Sequence, residues 1–161
     1  MPSPLQIKAE RTYRMYGFVP YNISEIQKGI QFGHAVVEYA LMYNDWVEYQ
    51  KWAKKDKTFV ILNGGTTNTN ESSLGSMNML KIDLSVWKIK YAAFYEPDLG
   101  DQLTALCFLV DERVFDRELY PEYDEYVNEG QAEWDYYESI WGDEWRQILD
   151  QREFLAKFKL A

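Results

Sequence analysis

The residue best placed to do chemistry is the single histidine, His34, which stands in residues 20–43, P-Y-N-I-S-E-I-Q-K-G-I-Q-F-G-H-A-V-V-E-Y-A-L-M-Y. An imidazole changes its charge close to neutral pH, so it can accept a proton from water or orient one. Two readings stand open. Periodicity favours a hydrogen-bonded core histidine, since Ile26, Ile30, Val37 and Leu41 make one helical stripe and His34 falls on it one turn after Ile30. The alternative is a reactive side chain beside a ligand that comes close at Gly33. Gly29 and Gly33 each cost a helix about 1 kcal/mol relative to alanine, so close packing on a sheet or the approach of a ligand must offset them.

Other chemistries are narrowed by composition. One cysteine, Cys107, inside the apolar run 103–110, leaves no disulfide framework, and with one histidine the chain cannot assemble a typical zinc site. Cys107 reads as a buried structural thiol in a reducing compartment. Residues 64–76, G-G-T-T-N-T-N-E-S-S-L-G-S, form a polar loop at the C-terminal end of a strand, the place where open α/β sheets put ligands. Its glycines lack phosphate-loop spacing. It is either a mobile surface loop or a ligand-contacting one, with Gly65 and Thr66 as the candidate contacts.

The elements that must position His34 follow from pattern. Ser24 and Gln27 make a capping box that starts its helix. Residues 12–19 are β-rich and end at Pro20, and 45–55 keep helical spacing through Trp46, Tyr49 and Trp52. A short apolar strand spans 57–62. Ser76 is placed to cap a third helix with Met77, Leu80, Leu84 and Trp87 on one stripe, and strands at 91–95 and 103–110 flank the turn 96–101. Alternating strands and helices imply an α/β layer structure, and the short last connection implies an antiparallel pair within a mixed sheet. The helix of His34 is expected to pack on that sheet through Ile26, Ile30 and Val37.

At 161 residues, 47% apolar and 17% aromatic, the chain can bury one full core. Its net charge of −9 divides into −2 over residues 1–112 and −7 over 113–161. Long-range attraction to a polyanion is therefore absent, and a nucleic acid would need a local patch such as Lys28, Lys51, Lys54, Lys55 and Lys57, a cluster that otherwise reads as a solvated helix end. No apolar run reaches bilayer length and the first residues carry no apolar signal segment, so a soluble, intracellular protein is expected. From Phe115 the chain turns acidic and aromatic. Trp134, Tyr137, Trp141, Trp145 and Ile148 predict a helix over 132–149 whose aromatic face either packs on the domain or meets a partner.

Residues 12–112 resemble the archaeal and eukaryotic type of peptidyl-tRNA hydrolase (type 2), and more closely its short phage-encoded relatives. The likeness rests on Gln31-Phe32-Gly33-His34-Ala35, matching that family's A-Q-x-G-H-A element. Asp98-Leu99-Gly100 with Gln102-Leu103-Thr104 matches its Asp-Ala-Gly turn and the threonine-bearing strand after it. The resemblance implies a mixed four-stranded sheet flanked by helices over 1–112; residues 113–161 lie outside it and read, from their own aromatic spacing, as an acidic aromatic helical extension packed on that domain. It also implies hydrolysis of the ester between a peptide and the 3′ end of tRNA, with no cofactor and no metal. His34, Asp98 and Thr104 are then the catalytic candidates, and Gln27, Lys28, Gln31, Gly33, Gly65 and Thr66 the substrate-binding ones. Gln27 occupies the position of the family's lysine, and Lys28 is turned about 100° away around the helix. That departure supports a second reading, a cytoplasmic phage protein that binds a nucleotide or nucleotide signal in the same cleft without turnover. A third reading has the acidic C-terminal segment docking on a host protein. A homodimer is compatible with each, and no membrane is involved.

Overall fold

The structure, a computed structural model, describes residues 11–67, 75–123 and 131–161, so positions 68–74 of the polar loop lie outside the described residues. The chain divides into two units, one of Tyr13–Val110 with Phe158–Ala161 and the other of Met1–Thr12 with Asp111–Lys157.

The first unit is built on strands β1 (Tyr13–Val19), β2 (Phe59–Asn63), β3 (Tyr91–Glu96) and β4 (Gln102–Asp111), in the order β2-β1-β4-β3. β1 and β2 run parallel, with Met15 opposite Phe59 and Val19 opposite Asn63, while β3 and β4 are antiparallel with a bulge between Phe94 and Tyr95. The sheet is thus mixed, in keeping with the strand and helix alternation of the sequence. β4 is an inner strand, which explains why Leu103 to Phe108 are buried without interruption. The chain end returns to this unit: Leu160 bridges Leu62, Asn63 N–H donates to the Lys159 carbonyl at 2.8 Å, and Ala161 N–H to the Ile61 carbonyl at 2.9 Å. The edge of β2 is thereby paired rather than left open.

Helix α1 (Glu25–Tyr43) begins where the cap predicts, with Ser24 Oγ accepting the Gln27 N–H at 3.3 Å. The reciprocal half of the box does not form, because Gln27 Oε1 accepts from Gln31 Nε2 at 3.1 Å instead. The expected packing face is also overturned. Ile26, Ile30, Val37 and Leu41 are exposed, and the helix buries Gln31, Phe32, Ala35 and Tyr39. Gly17 of β1 decides this: a Cβ there would lie 2.3 Å from the Phe32 ring, so the missing side chain is what lets that ring settle on the strand. Phe32, Ala35 and Tyr39 join Met15, Val19, Trp52, Ala92, Ala105 and Cys107 in one core on that face of the sheet.

The second predicted helix is shorter than its pattern. α2 (Val47–Lys51) passes into a π-helical turn, Trp52–Asp56, stopped by Lys57 in the left-handed region at φ 56°. α3 (Ser76–Val86) is preceded by Gly75 as its N-cap residue, not Ser76. The Ser76 hydroxyl is engaged elsewhere, donating to the Gly64 carbonyl at 2.7 Å and accepting the Thr66 N–H at 2.8 Å. α3 covers the face opposite α1, its Met77 and Leu80 packing beside Phe18 around Gly64.

In the second unit, α4 (Glu112–Phe115) is capped by Asp111 and is followed by α5 (Gln131–Trp141) and α6 (Trp145–Leu155). The single helix expected over 132–149 is broken at Gly142, whose φ of 84° leaves the helical region. Buried Arg113 explains the break. Its guanidinium donates to the Trp141 carbonyl at 2.7 Å and pairs with Glu144 at 2.8 Å and Asp111 at 2.9 Å, which holds the end of α5 and the start of α6 to one cation. Arg152 donates to the Arg113 and Tyr120 carbonyls and lies 4.1 Å over the Trp141 ring. Tyr137, Trp141, Trp145 and Ile148 are buried as the aromatic stripe predicts, whereas Trp134 is exposed. No helix among the described residues is long and apolar enough to cross a membrane.

Candidate functional site

A cleft of about 640 Å³ opens beside the first two turns of α1 and the end of β3, lined by Ile23, Ser24, Gln27, Ile30, Gln31, His34, Phe94, Glu96, Asp98 and Leu99. The pleat of β3 carries Ala92, Phe94 and Glu96 towards α1. The Pro97–Leu99 3₁₀ turn then adds Asp98 and Leu99, and Gly100 closes it at φ 67°. His34 is not a core histidine. It is exposed, with its ring stacked on Phe94 at 4.4 Å between centroids and 16° between planes. Stacking covers one face of the imidazole, and the residue is one of those that line the cleft.

Behind the lining runs one hydrogen-bonded chain. Thr104 Oγ1, fully buried on β4, donates to Gln31 Oε1 at 2.6 Å. Gln31 Nε2 then donates to Gln27 Oε1 at 3.1 Å and to Glu96 Oε2 at 2.9 Å, and Glu96 Oε1 accepts the Asp98 N–H at 3.1 Å. The bond from Gln31, helped by the Asp98 amide and by His34, holds the Glu96 carboxyl below the usual range. Glu96 therefore stays ionised at neutral pH. Because Gln27 accepts through its oxygen, its NH₂ group is the donor presented to the cleft.

Among the residues singled out by sequence, His34, Asp98, Gln27 and Gln31 meet at this cleft, and the others stand apart. Thr104 is walled off behind Gln31, so it positions that side chain and touches no ligand space. Lys28 pairs with Glu25 at 2.8 Å and does not line the cleft, as its rotation about the helix requires. Gly33 and Gly29 lie on the open face, where an added Cβ would meet nothing within 4 Å, so neither close packing nor an approaching backbone accounts for them within this chain. Gly65, at φ 88°, and Thr66 are tied to Ser76 and Tyr21 and contribute nothing to the lining. Of the other lysines in the supposed basic patch, Lys51 is bound to Asp56 at 3.0 Å.

Glu96 and Phe94 escaped the sequence reading. The signal was the period of two in β3, which sets both on the side facing the helix of His34. Among the described residues, no group of three or more His, Cys, Asp or Glu side chains is arranged to hold a metal ion. Two carboxylates, two amides and an imidazole set between the apolar Ile23, Ile30 and Leu99 can orient a water, accept its proton and donate to a carbonyl oxygen. No family model matches this chain, and a search of curated proteins returns no match either.

Proposed function

We propose that this cleft hydrolyses the ester joining a peptide to the 3′ end of tRNA, in the manner of the type 2 peptidyl-tRNA hydrolases that the sequence resembles. The observation that carries the reading is the meeting of His34, Asp98, Gln27 and Gln31 in one cleft, although α1 and the Asp98 turn lie more than fifty residues apart. His34 takes the proton of a water as its oxygen bonds to the ester carbonyl carbon, and returns it to the departing 3′ oxygen as the ester C–O bond breaks. The Gln27 NH₂ group is the donor for the oxyanion formed between those steps, a neutral donor where the family has a charged one. Gln31, braced by Thr104, keeps that amide turned the right way.

A second reading has its own support: among the described residues no lysine or arginine lines the cleft, so a developing oxyanion would meet only neutral donors there. The same protein would then bind a nucleotide without turning it over. A multiple-turnover assay on purified peptidyl-tRNA separates the two. Under the hydrolase reading, His34→Ala lowers turnover on the order of 10² to 10⁴-fold with the melting temperature unchanged. Gln27→Lys raises turnover by restoring a charged donor. Absence of turnover in both the wild type and Gln27→Lys would remove the hydrolase reading.

A further inference from the structure

Glu96 is a charged residue on the side of β3 that faces α1, and it lines the cleft. Both of its carboxylate oxygens are held in place, Oε2 by Gln31 Nε2 at 2.9 Å and Oε1 by the Asp98 N–H at 3.1 Å. Each oxygen keeps a further lone pair for a ligand. Gln31 is 2% exposed and is itself pinned by Thr104, so the carboxylate cannot swing away without breaking a bond to a buried amide. Nothing in this arrangement calls for a charge, because a neutral amide oxygen would accept from Gln31 as well. Asp98 nevertheless adds a second carboxylate to the lining, and among the described residues no lysine or arginine joins it. Lys28 is engaged with Glu25. His34 is the basic group in the lining, and it must be neutral to take a proton from water. A fixed negative charge in a cleft walled by Ile23, Ile30, Phe94 and Leu99 is thus left for a cationic ligand to match.

We propose that Glu96 makes the cleft select an acyl group bearing a free ammonium: an aminoacyl ester, or a peptidyl ester short enough to bring its N-terminus there, in preference to an N-blocked one. The inference rests on the ester reading of the cleft and not on the nucleotide one, whose phosphates these charges repel. In an aminoacyl ester the ammonium sits on the carbon next to the ester carbonyl. Anchoring it on Glu96 therefore also fixes the carbonyl that the water attacks. The apolar walls receive the amino-acid side chain.

Two uncleaved probes differ in that charge alone: 3′-(phenylalanylamido)-3′-deoxyadenosine, and its phenyllactyl counterpart with a hydroxyl of nearly the same size in place of the amine. Calorimetry on the full chain at about pH 7, where most of the amine is charged, compares them. The wild type is expected to bind the amine about five- to tenfold more tightly, a preference that shrinks in high salt. Glu96→Gln should bring the two dissociation constants within about twofold of each other, mainly by weakening the amine. Misplacement of Gln31 would instead weaken both probes and keep their ratio. Turnover of phenylalanyl-tRNA against phenyllactyl-tRNA should show the same preference in kcat/KM. Cleavage of neither ester, with the amine still preferred in binding, would remove the hydrolase reading and leave the ammonium site standing. Cleavage of both esters at equal rates would do the reverse. Equal binding of the two probes, binding of neither at millimolar concentration, or a preference that survives Glu96→Gln would each overturn the proposal.

Discussion

Removing one hydroxyl group behind the cleft should reveal whether Thr104 and Gln31 act as a unit. Thr104→Val keeps the shape of the side chain and deletes the donor that reaches Gln31 Oε1 at 2.6 Å. Gln31 cannot turn to find another partner, because its NH₂ group is already held by Gln27 and Glu96, and with 2% of its surface exposed water does not replace the lost bond. The variant therefore leaves a buried carbonyl orphaned, at a cost of about 1–3 kcal/mol. For a chain of this length that lowers the melting temperature by roughly 3 to 10 °C. Urea denaturation measures the loss, and a double-mutant cycle with Gln31→Met assigns it. Once Gln31 is apolar the valine should cost little, so the two changes should fall short of additivity by about 1 kcal/mol or more. A Thr104→Val protein within about 0.5 kcal/mol of wild type, or an additive cycle, would refute the role given to this bond.

Two further outcomes concern the second unit. Burial pushes the Glu112 carboxyl above its ordinary value of 4.5, the hydroxyl of Tyr120 being only a partial compensation. The folded state thus binds the proton more tightly than the unfolded one, so this contribution to stability is complete below the unfolded value and is lost as pH rises through the folded one. Glu112→Gln, which still accepts from Tyr120, should flatten that decline in thermal melts taken from pH 4 to 8, and a variant whose profile runs parallel to wild type would contradict it. Gly142→Ala should cost about 1–2 kcal/mol through backbone strain at φ 84°, since the added Cβ meets Arg113 at an ordinary 3.6 Å. Equal stability in urea would show that the break between α5 and α6 relaxes without strain.

Strand positions, the start of α1 and the antiparallel pairing of β3 with β4 were legible in the sequence because each depends on near neighbours: β-rich runs, a serine cap and a short turn. The aromatic spacing in the second unit was equally local and marked Tyr137, Trp141, Trp145 and Ile148 for burial, but it also marked the exposed Trp134, and the break at Gly142 was not visible, since it depends on Arg113 of α4. Which face of α1 turns inward was a tertiary decision. The helix carries two apolar stripes, and the one with the stronger aliphatic pattern lost because Gly17, on another element, makes room for the Phe32 ring. That rotation of the helix sent His34 out of the core and onto Phe94. It also turned Gln31 inward, between Thr104 and Glu96. Sequence determined the residue types available for chemistry; the fit of one helix to one glycine in the sheet decided which of them meet.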